Sequence, residues 1–202
     1  MDLVQEKAIA YQQLMNYSYY IVLGRKSKLY EFILTFSAED FMHIIGFHKL
    51  KDLEFLKKSA VNVFKDCLSG KITFEMISKS EFYPAIQNRF EYFDKIESML
   101  DNNNLVIICN QKKMRQYSTI PAHYIAESVC DTLIFYIFIK HISEYYSNVI
   151  SFFCQEGVNY RNGNMLSKLL YKEKQNTNTG EKIIQINELK EDEQELDLEI
   201  LV

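Results

Sequence analysis

The residues best suited to chemistry gather in FMHIIGFHKLKD, positions 41–52. The stretch holds two of the chain's four histidines, His43 and His48, with Lys49 and Lys51 just past Gly46. An imidazole beside primary amines suits acid–base work on an anionic substrate: one group moves a proton while its neighbours hold the charge that develops. On a helix turning about 100° per residue, Phe41, Ile44 and Ile45 share an inward face and His43 points away from it. Asp40, three residues earlier, falls on the same side as His43, where a carboxylate can orient the imidazole and raise its pKa. The structural alternative is a surface histidine that complements the negative end of a helix.

Other candidates lie further along. Arg89, in IQNRFEYF, sits beside the apolar stripe of Phe90 and Phe93. Its guanidinium could grip a phosphate with two prongs, or it could pair with Glu91 or Asp94. Tyr117, Ser118, Thr119, His123 and Tyr124 fall where a sheet begins. Lys168, Tyr171, Lys172 and Lys174 dot a late strand. Lysines on an exposed strand face protect the edge, while aromatics interleaved with lysines also stack nucleobases. No GxxxxGKS loop, GxGxxG turn, GxSxG elbow, HExxH pair or paired-Asp nuclease motif occurs. Nucleotide-fuelled and zinc chemistry are therefore disfavoured, and neither a cofactor nor a metal is expected. The remaining set of His, Lys, Arg, Tyr and Ser suits metal-free attack on a phosphodiester.

These groups need a frame. Residues 3–15 have a helical spacing of Val4, Ala8, Tyr11 and Leu14. YSYYIVLG and KLYEFILTF flank a Gly-Arg-Lys-Ser turn and predict a β-hairpin. Ser37 and Asp40 resemble a capping box for a short helix over 38–46, which Gly46 can end in the left-handed conformation. Residues 53–68 and 73–101 read as helices separated by Gly70. In the second, Pro84 sits at a first-turn position below Ser80, and Phe82, Ile86, Phe90, Phe93, Ile96 and Leu100 keep a three-to-four spacing. After DNNN at 101–104 the period changes. LVIIC (105–109), HYIAES (123–128), LIFYIFI (133–139), VISFFC (149–154) and LSKLLYKEK (166–174) are strand-like runs, and NTNTG at 176–180 leads into IIQI. Short polar connections favour antiparallel pairing. LIFYIFI, apolar throughout, should be covered on both faces. The expected class is α+β: N-terminal helices and a hairpin, followed by a meandering antiparallel sheet.

Composition bounds the rest. The chain has 202 residues, of which 48% are hydrophobic, enough for one cored domain. That domain is expected over 1–187, with an acidic tail at 188–202. The formal net charge of −4 is lopsided, because ELKEDEQELDLEILV carries seven acids and one lysine. The body is mildly basic without it, which neither demands nor excludes RNA. The four cysteines form no CxxC pair and predict reduced thiols in a cytoplasmic protein. MDLVQEKAIAYQQ lacks the apolar core of a signal peptide. The longest apolar run falls far short of the roughly 20 residues that span a bilayer, so no membrane association is expected.

The order of segments is itself informative. IIGFHKLKDL, then GKITFEMISKSEFY, then IQNRFEYFDKIESML, and later AHYIAES, LIFYIFIK, VISFFC and LLYKEKQNTNTGEKI, resemble the fourth phage branch of the barnase–EndoU–colicin–RelE-like nucleases. The resemblance covers most of residues 30–187. It implies helices before a barnase/RelE-like sheet of about four antiparallel strands, and metal-independent RNA cleavage by 2′-hydroxyl attack. Carried onto this chain, the motif histidine falls on His43, the following lysine on Lys49, the helix arginine on Arg89 and the tyrosine opening the sheet on Tyr124. A threonine expected before the late strand run is replaced by Ser167 and Lys168.

With the resemblance added, the expected function is a metal-independent endoribonuclease of phage or mobile-element origin, with a toxin role as one form. His43, Arg89, Lys49, Tyr124 and Lys168 are its expected catalytic residues, with Tyr124 or Lys168 as second proton carrier. His48, Lys51, Ser167, Tyr171 and Lys172 are its expected substrate contacts. The alternative is an inactive inhibitor or adaptor that keeps the scaffold and binds a host defence complex or nucleic acid. RNA is the expected partner, with a protein such as an antitoxin or a defence complex reached through the tail at 188–202. That tail could also cover the chain's own basic site.

Overall fold

The computed structural model describes residues 1–103, 105–116 and 118–189. The chain opens with α1 (Leu3–Leu14), which buries Val4, Ala8, Tyr11 and Leu14. Asp2 caps it by accepting from the Val4 N–H at 2.9 Å. The same carboxylate accepts from the Phe74 N–H at 3.0 Å and so ties the helix to a later segment. The hairpin of β1 (Tyr17–Arg25) and β2 (Lys28–Thr35) follows, as its β-branched and aromatic pattern predicts.

Five short helices then cover one side of the molecule: α2 (Phe41–Ile44), α3 (Ala60–Leu68), α4 (Phe74–Ser78), α5 (Gln87–Glu91) and α6 (Ile96–Asp101). The long helix expected over 73–101 is therefore broken. Pro84 lacks an N–H and sits in a 3-10 turn at Tyr83–Ala85, and a second 3-10 turn runs Phe93–Lys95. The apolar spacing survives the breaks, so Ile86, Phe90, Phe93, Ile96 and Leu100 still reach the core. Phe82 is the exception and stays partly exposed. Residues 53–68 divide likewise into a 3-10 turn at Glu54–Lys57 and then α3.

The remaining elements are β3 (Leu105–Ile108), α7 (Gln111–Met114), β4 (Tyr124–Cys130), β5 (Leu133–His141), β6 (Tyr146–Cys154), β7 (Met165–Asn176) and β8 (Lys182–Asn187). They do not form an open meander. The order is β1-β2-β6-β5-β4-β3-β7, and β7 pairs back onto β1, closing a seven-stranded barrel. One contact in the ring is parallel, with Ile33, Leu34 and Thr35 of β2 opposite Tyr146, Ser147 and Asn148 of β6. Closure satisfies two edges that a meander would leave unpaired. Strand β8 extends the β7 edge beyond the stretch that β3 covers.

Two apolar layers result. The barrel interior merges with the helices through Phe32, Leu34, Phe135, Ile137, Val149 and Phe152. A smaller layer on the outside of β4 and β5 joins Ile125, Tyr136 and Phe138 to Met114 and Tyr160. LIFYIFI is thus covered on both faces, as expected. All four cysteines are free thiols. No helix among the described residues is long and apolar enough to cross a membrane.

Lys172, expected to touch substrate, instead holds the fold together. It is 2% exposed. Its ammonium donates to the carbonyls of Leu100, Asp101 and Asn103 at 2.7–2.8 Å. The last carbonyls of a helix have no partner within it, and a cation there satisfies both the lone pairs and the dipole. Burial lowers this ammonium's pKa to about 8, so it remains largely charged at neutral pH. Beside it, Lys174 bridges Glu97 and Asp101. Lys172→Met keeps the stem's packing but strips the donors from three carbonyls, and should cost about 3 kcal/mol in urea unfolding. An unchanged midpoint would refute this role.

Candidate active site

The site grows from one glycine. Gly46 has φ +92°, the left-handed region. A Cβ there would meet Arg89 Cδ at 2.8 Å and Ile86 Cγ2 at 2.9 Å, so only glycine lets the chain turn this close to α5. The turn joins α2 to a 3-10 turn at Phe47–Lys49 and sets His43 beside His48, ring centroids 4.7 Å apart. Phe41, Ile44, Ile45 and Phe47 are buried as anchors, while His43 is exposed and the His48 ring is partly enclosed with one edge open to solvent. The His48 ring hydrogen-bonds the Met42 carbonyl, and its pKa is pulled well below the ordinary histidine range by burial and by the charges of His43 and Arg89.

Beneath this turn lies Arg89, 4% exposed. Its Nη1 donates to the His43 carbonyl at 3.1 Å, and its guanidinium carbon lies 5.4 Å from the centre of the Phe153 ring. Its Nε is buried without a hydrogen-bond partner. The ion pairs the sequence offered are not made: Asp94 is taken by Lys7, and Glu91 by Gln87. Burial lowers the Arg89 pKa to about 10, against the nearby charge of Glu156, and the group stays cationic at neutral pH. Burial and the Arg89 charge also lower the pKa of Lys49.

These groups line a pocket of about 730 Å³. Its far wall comes from the loop at Thr119–Pro121, from Lys140 at the end of β5, and from Ile150, Ser151 and Phe153 of β6. The register slips here: Phe138 faces Ser151 but Ile139 faces Val149, which leaves Ile150 as a bulge. A bulge breaks strict alternation, so adjacent residues Ile150 and Ser151 can both line the pocket. Asp40 also lines it, but it does not serve the imidazole in the way the sequence suggested. Its Oδ2 accepts from the Ser37 hydroxyl and from Asn148 Nδ2, each at 2.7 Å. Burial raises its pKa.

The structure brings His43, His48, Lys49 and Arg89 together from segments forty residues apart. Lys51 is exposed one turn away and does not line the pocket. Tyr124 is buried inside the barrel, stacked on Phe32 at 4.4 Å, with its hydroxyl 3.2 Å from His141 Nε2. Lys168 pairs with Glu188 on β7, and Ser167 donates to the Val106 carbonyl. Tyr171 packs on Tyr20 and its hydroxyl donates to Glu173. None of these lines the pocket. Strand β7 lies three steps round the barrel from β6, on the far side. Tyr117 and the tail from Lys190 onward lie outside the described residues. Sequence reading passed over Lys140, Ser151 and Glu156; the hints were a lysine closing LIFYIFI, a serine inside VISFFC and an acid just past it. Among the described residues, no three His, Cys, Asp or Glu side chains converge as metal ligands.

An α+β frame, an imidazole pair and an unpaired guanidinium in one cleft define a protein able to hold an anion and move a proton beside it. The model of the family described as phage-Barnase-EndoU-ColicinE5/D-RelE like nuclease 4 matches residues 3–195, and the chain belongs to that family of phage nucleases. No curated protein and no solved structure matches it.

A buried cation with no ion-pair partner costs stability. Arg89→Met should raise Tm by about 2–4 °C, equivalent to about 1 kcal/mol in a chain of this size. Inorganic phosphate should stabilise the wild type against heat and leave R89M unmoved. A Tm that falls in R89M would make the arginine purely structural.

Proposed function

We propose that this pocket cuts RNA by attack of a 2′-hydroxyl on the neighbouring phosphodiester. One observation carries the reading: a buried guanidinium without a carboxylate partner opens onto a pocket walled by a solvent-reachable imidazole. A phosphate in the pocket would supply the anion that the guanidinium lacks.

His43 acts as general base and takes the 2′-hydroxyl proton. The freed oxygen bonds to phosphorus, and the bond from phosphorus to the 5′-oxygen breaks. Arg89 and Lys49 hold the non-bridging oxygens as negative charge builds on them. Asp40, whose carboxyl burial holds above its ordinary range, gives its proton to the leaving 5′-oxygen. The second proton role that sequence placed on Tyr124 or Lys168 passes to Asp40 because Asp40 is in the pocket. His48, kept neutral at pH 7, positions the loop through Met42 and adds no further charge beside Arg89. The products are a 2′,3′-cyclic phosphate and a 5′-hydroxyl, and no co-reactant is consumed. The cationic and imidazole character of the lining supports acid–base catalysis without a metal.

The test is cleavage of end-labelled total RNA in EDTA. Wild type should release cyclic-phosphate ends, and His43→Ala should slow release by about 10²–10⁴-fold. Cleavage that requires Mg²⁺, or that survives loss of His43, would refute the mechanism. Inactivity of the wild type on every RNA tried would favour the inhibitor or adaptor reading. Burial raises the Asp40 pKa, so activity should fall as pH rises through the range where Asp40 loses the proton it must donate, and Asp40→Asn should remove that dependence.

A further inference from the structure

Beyond the pocket, the outer face of the barrel carries a short apolar track. In β5 and β6, Lys140 stands opposite Asn148, and the next pair outward joins Ile142 and Tyr146, with the Ile142 N–H donating to the Tyr146 carbonyl at 2.9 Å. In β2, Ile33 stands beside Tyr146 and Thr35 beside Asn148. Side chains alternate across a strand. Phe32, Leu34, Ser147 and Val149 are buried toward the barrel interior, so Ile33, Thr35, Lys140, Ile142, Tyr146 and Asn148 face outward.

This outward face runs directly into the pocket. Asn148 donates to Asp40 on the pocket wall, and Thr35 holds Asn148 by donating to its Oδ1 at 2.7 Å. Lys140 lines the pocket itself. Tyr146 is two residues from Asn148 on the same face, roughly 7 Å along the strand. Elsewhere α2 and α5 cover the outside of β6, and Met114 with Tyr160 covers β5. Over this last pair, cover is thin: Tyr146 is 47% exposed and Ile142 59%.

We infer that Tyr146, backed by Ile142 and with Lys140 at the junction, is a stacking subsite for a nucleobase a few nucleotides along the strand from the phosphate held at Arg89. The substrate class is then single-stranded or unpaired RNA. The inference rests on reading the pocket as an RNA site. An aromatic ring beside a cation, on a face that leads out of a phosphate site, is the combination that single-stranded nucleic acid uses: the ring stacks any base and the lysine follows the backbone. A paired helix keeps its bases inside and could not present one to this face. Among the described residues, Phe153 is the one phenyl or phenol ring in the pocket lining, and it is occupied beneath Arg89 and stacked on Phe138 at 4.8 Å.

The chain contains no tryptophan, so Tyr146→Trp introduces a sole tryptophan at the subsite, which can be excited selectively over the tyrosines. The probe is a decamer of 2′-O-methyluridine, which binds without being cut. Its addition should quench Y146W fluorescence. Tyr146→Ala should weaken decamer binding by about tenfold, as expected for loss of one stacked base, with the affinity for inorganic phosphate unmoved. Lys49→Gln should weaken both. An unchanged decamer affinity in Y146A, with K49Q impaired, overturns this subsite and leaves the pocket reading standing. A wild type that holds phosphate but no decamer overturns both. A duplex of the same length that binds Y146A and wild type equally, and as tightly as the single strand, overturns the single-strand assignment.

Discussion

The charge of Arg89 is the constraint around which this protein is arranged. A guanidinium in the interior must be desolvated, and in most proteins a carboxylate would meet it there. Here its contacts are a backbone carbonyl and the face of Phe153, and its Nε is left without a partner. That arrangement holds only because several elements converge. Gly46 lets the chain pass over the arginine's stem, α5 presents the side chain inward, and β6 supplies the ring below. The imidazoles and Lys49 take their places from the same turn. The chemistry and the strain thus have a single origin.

The barrel makes that convergence rigid. A meander of the same strands would leave β2 and β7 as free edges and let the hairpin drift from β6. The parallel contact between Thr35 and Asn148 instead fixes where β2 ends, and the chain then turns at once through Ser37 and Asp40 into the helix bearing His43. Asn148 joins the two, accepting from Thr35 on one side and donating to Asp40 on the other. The bulge at Ile150 supplies the remaining adjustment by letting adjacent residues of β6 face one cleft.

Cations of similar appearance in the sequence have divergent fates, and the reason is local hydrogen bonding. Lys172 and Lys174 sit on one strand, yet one ties off the end of α6 and the other bridges two carboxylates. Lys168, four residues before Lys172, pairs at the surface with Glu188. All three are satisfied by the fold itself. Arg89 is not: its Nε has no partner, and that difference sets it apart from the lysines more sharply than residue type or spacing does.

Much was determined by sequence alone. The hairpin, the strand runs from LVIIC to IIQI, the left-handed Gly46 and the double burial of LIFYIFI all follow from alternation, turn chemistry and composition, which act over a few residues. His43, His48, Lys49 and Arg89 could be named from residue type, motif order and resemblance. Tertiary structure alone decided the rest. Which sheet edges meet depends on how the helical segment from Phe36 to Asn103 carries the chain back, and alternation is blind to that. Whether Lys172 faces solvent or a helix end depends on where α6 stops. Tyr124 was drawn into the barrel by Phe32, a partner more than ninety residues away. Asp40, Lys140 and Tyr146 gained their places through pairings between strands, because a side chain's neighbours across a sheet are fixed by register and closure, which no local pattern records.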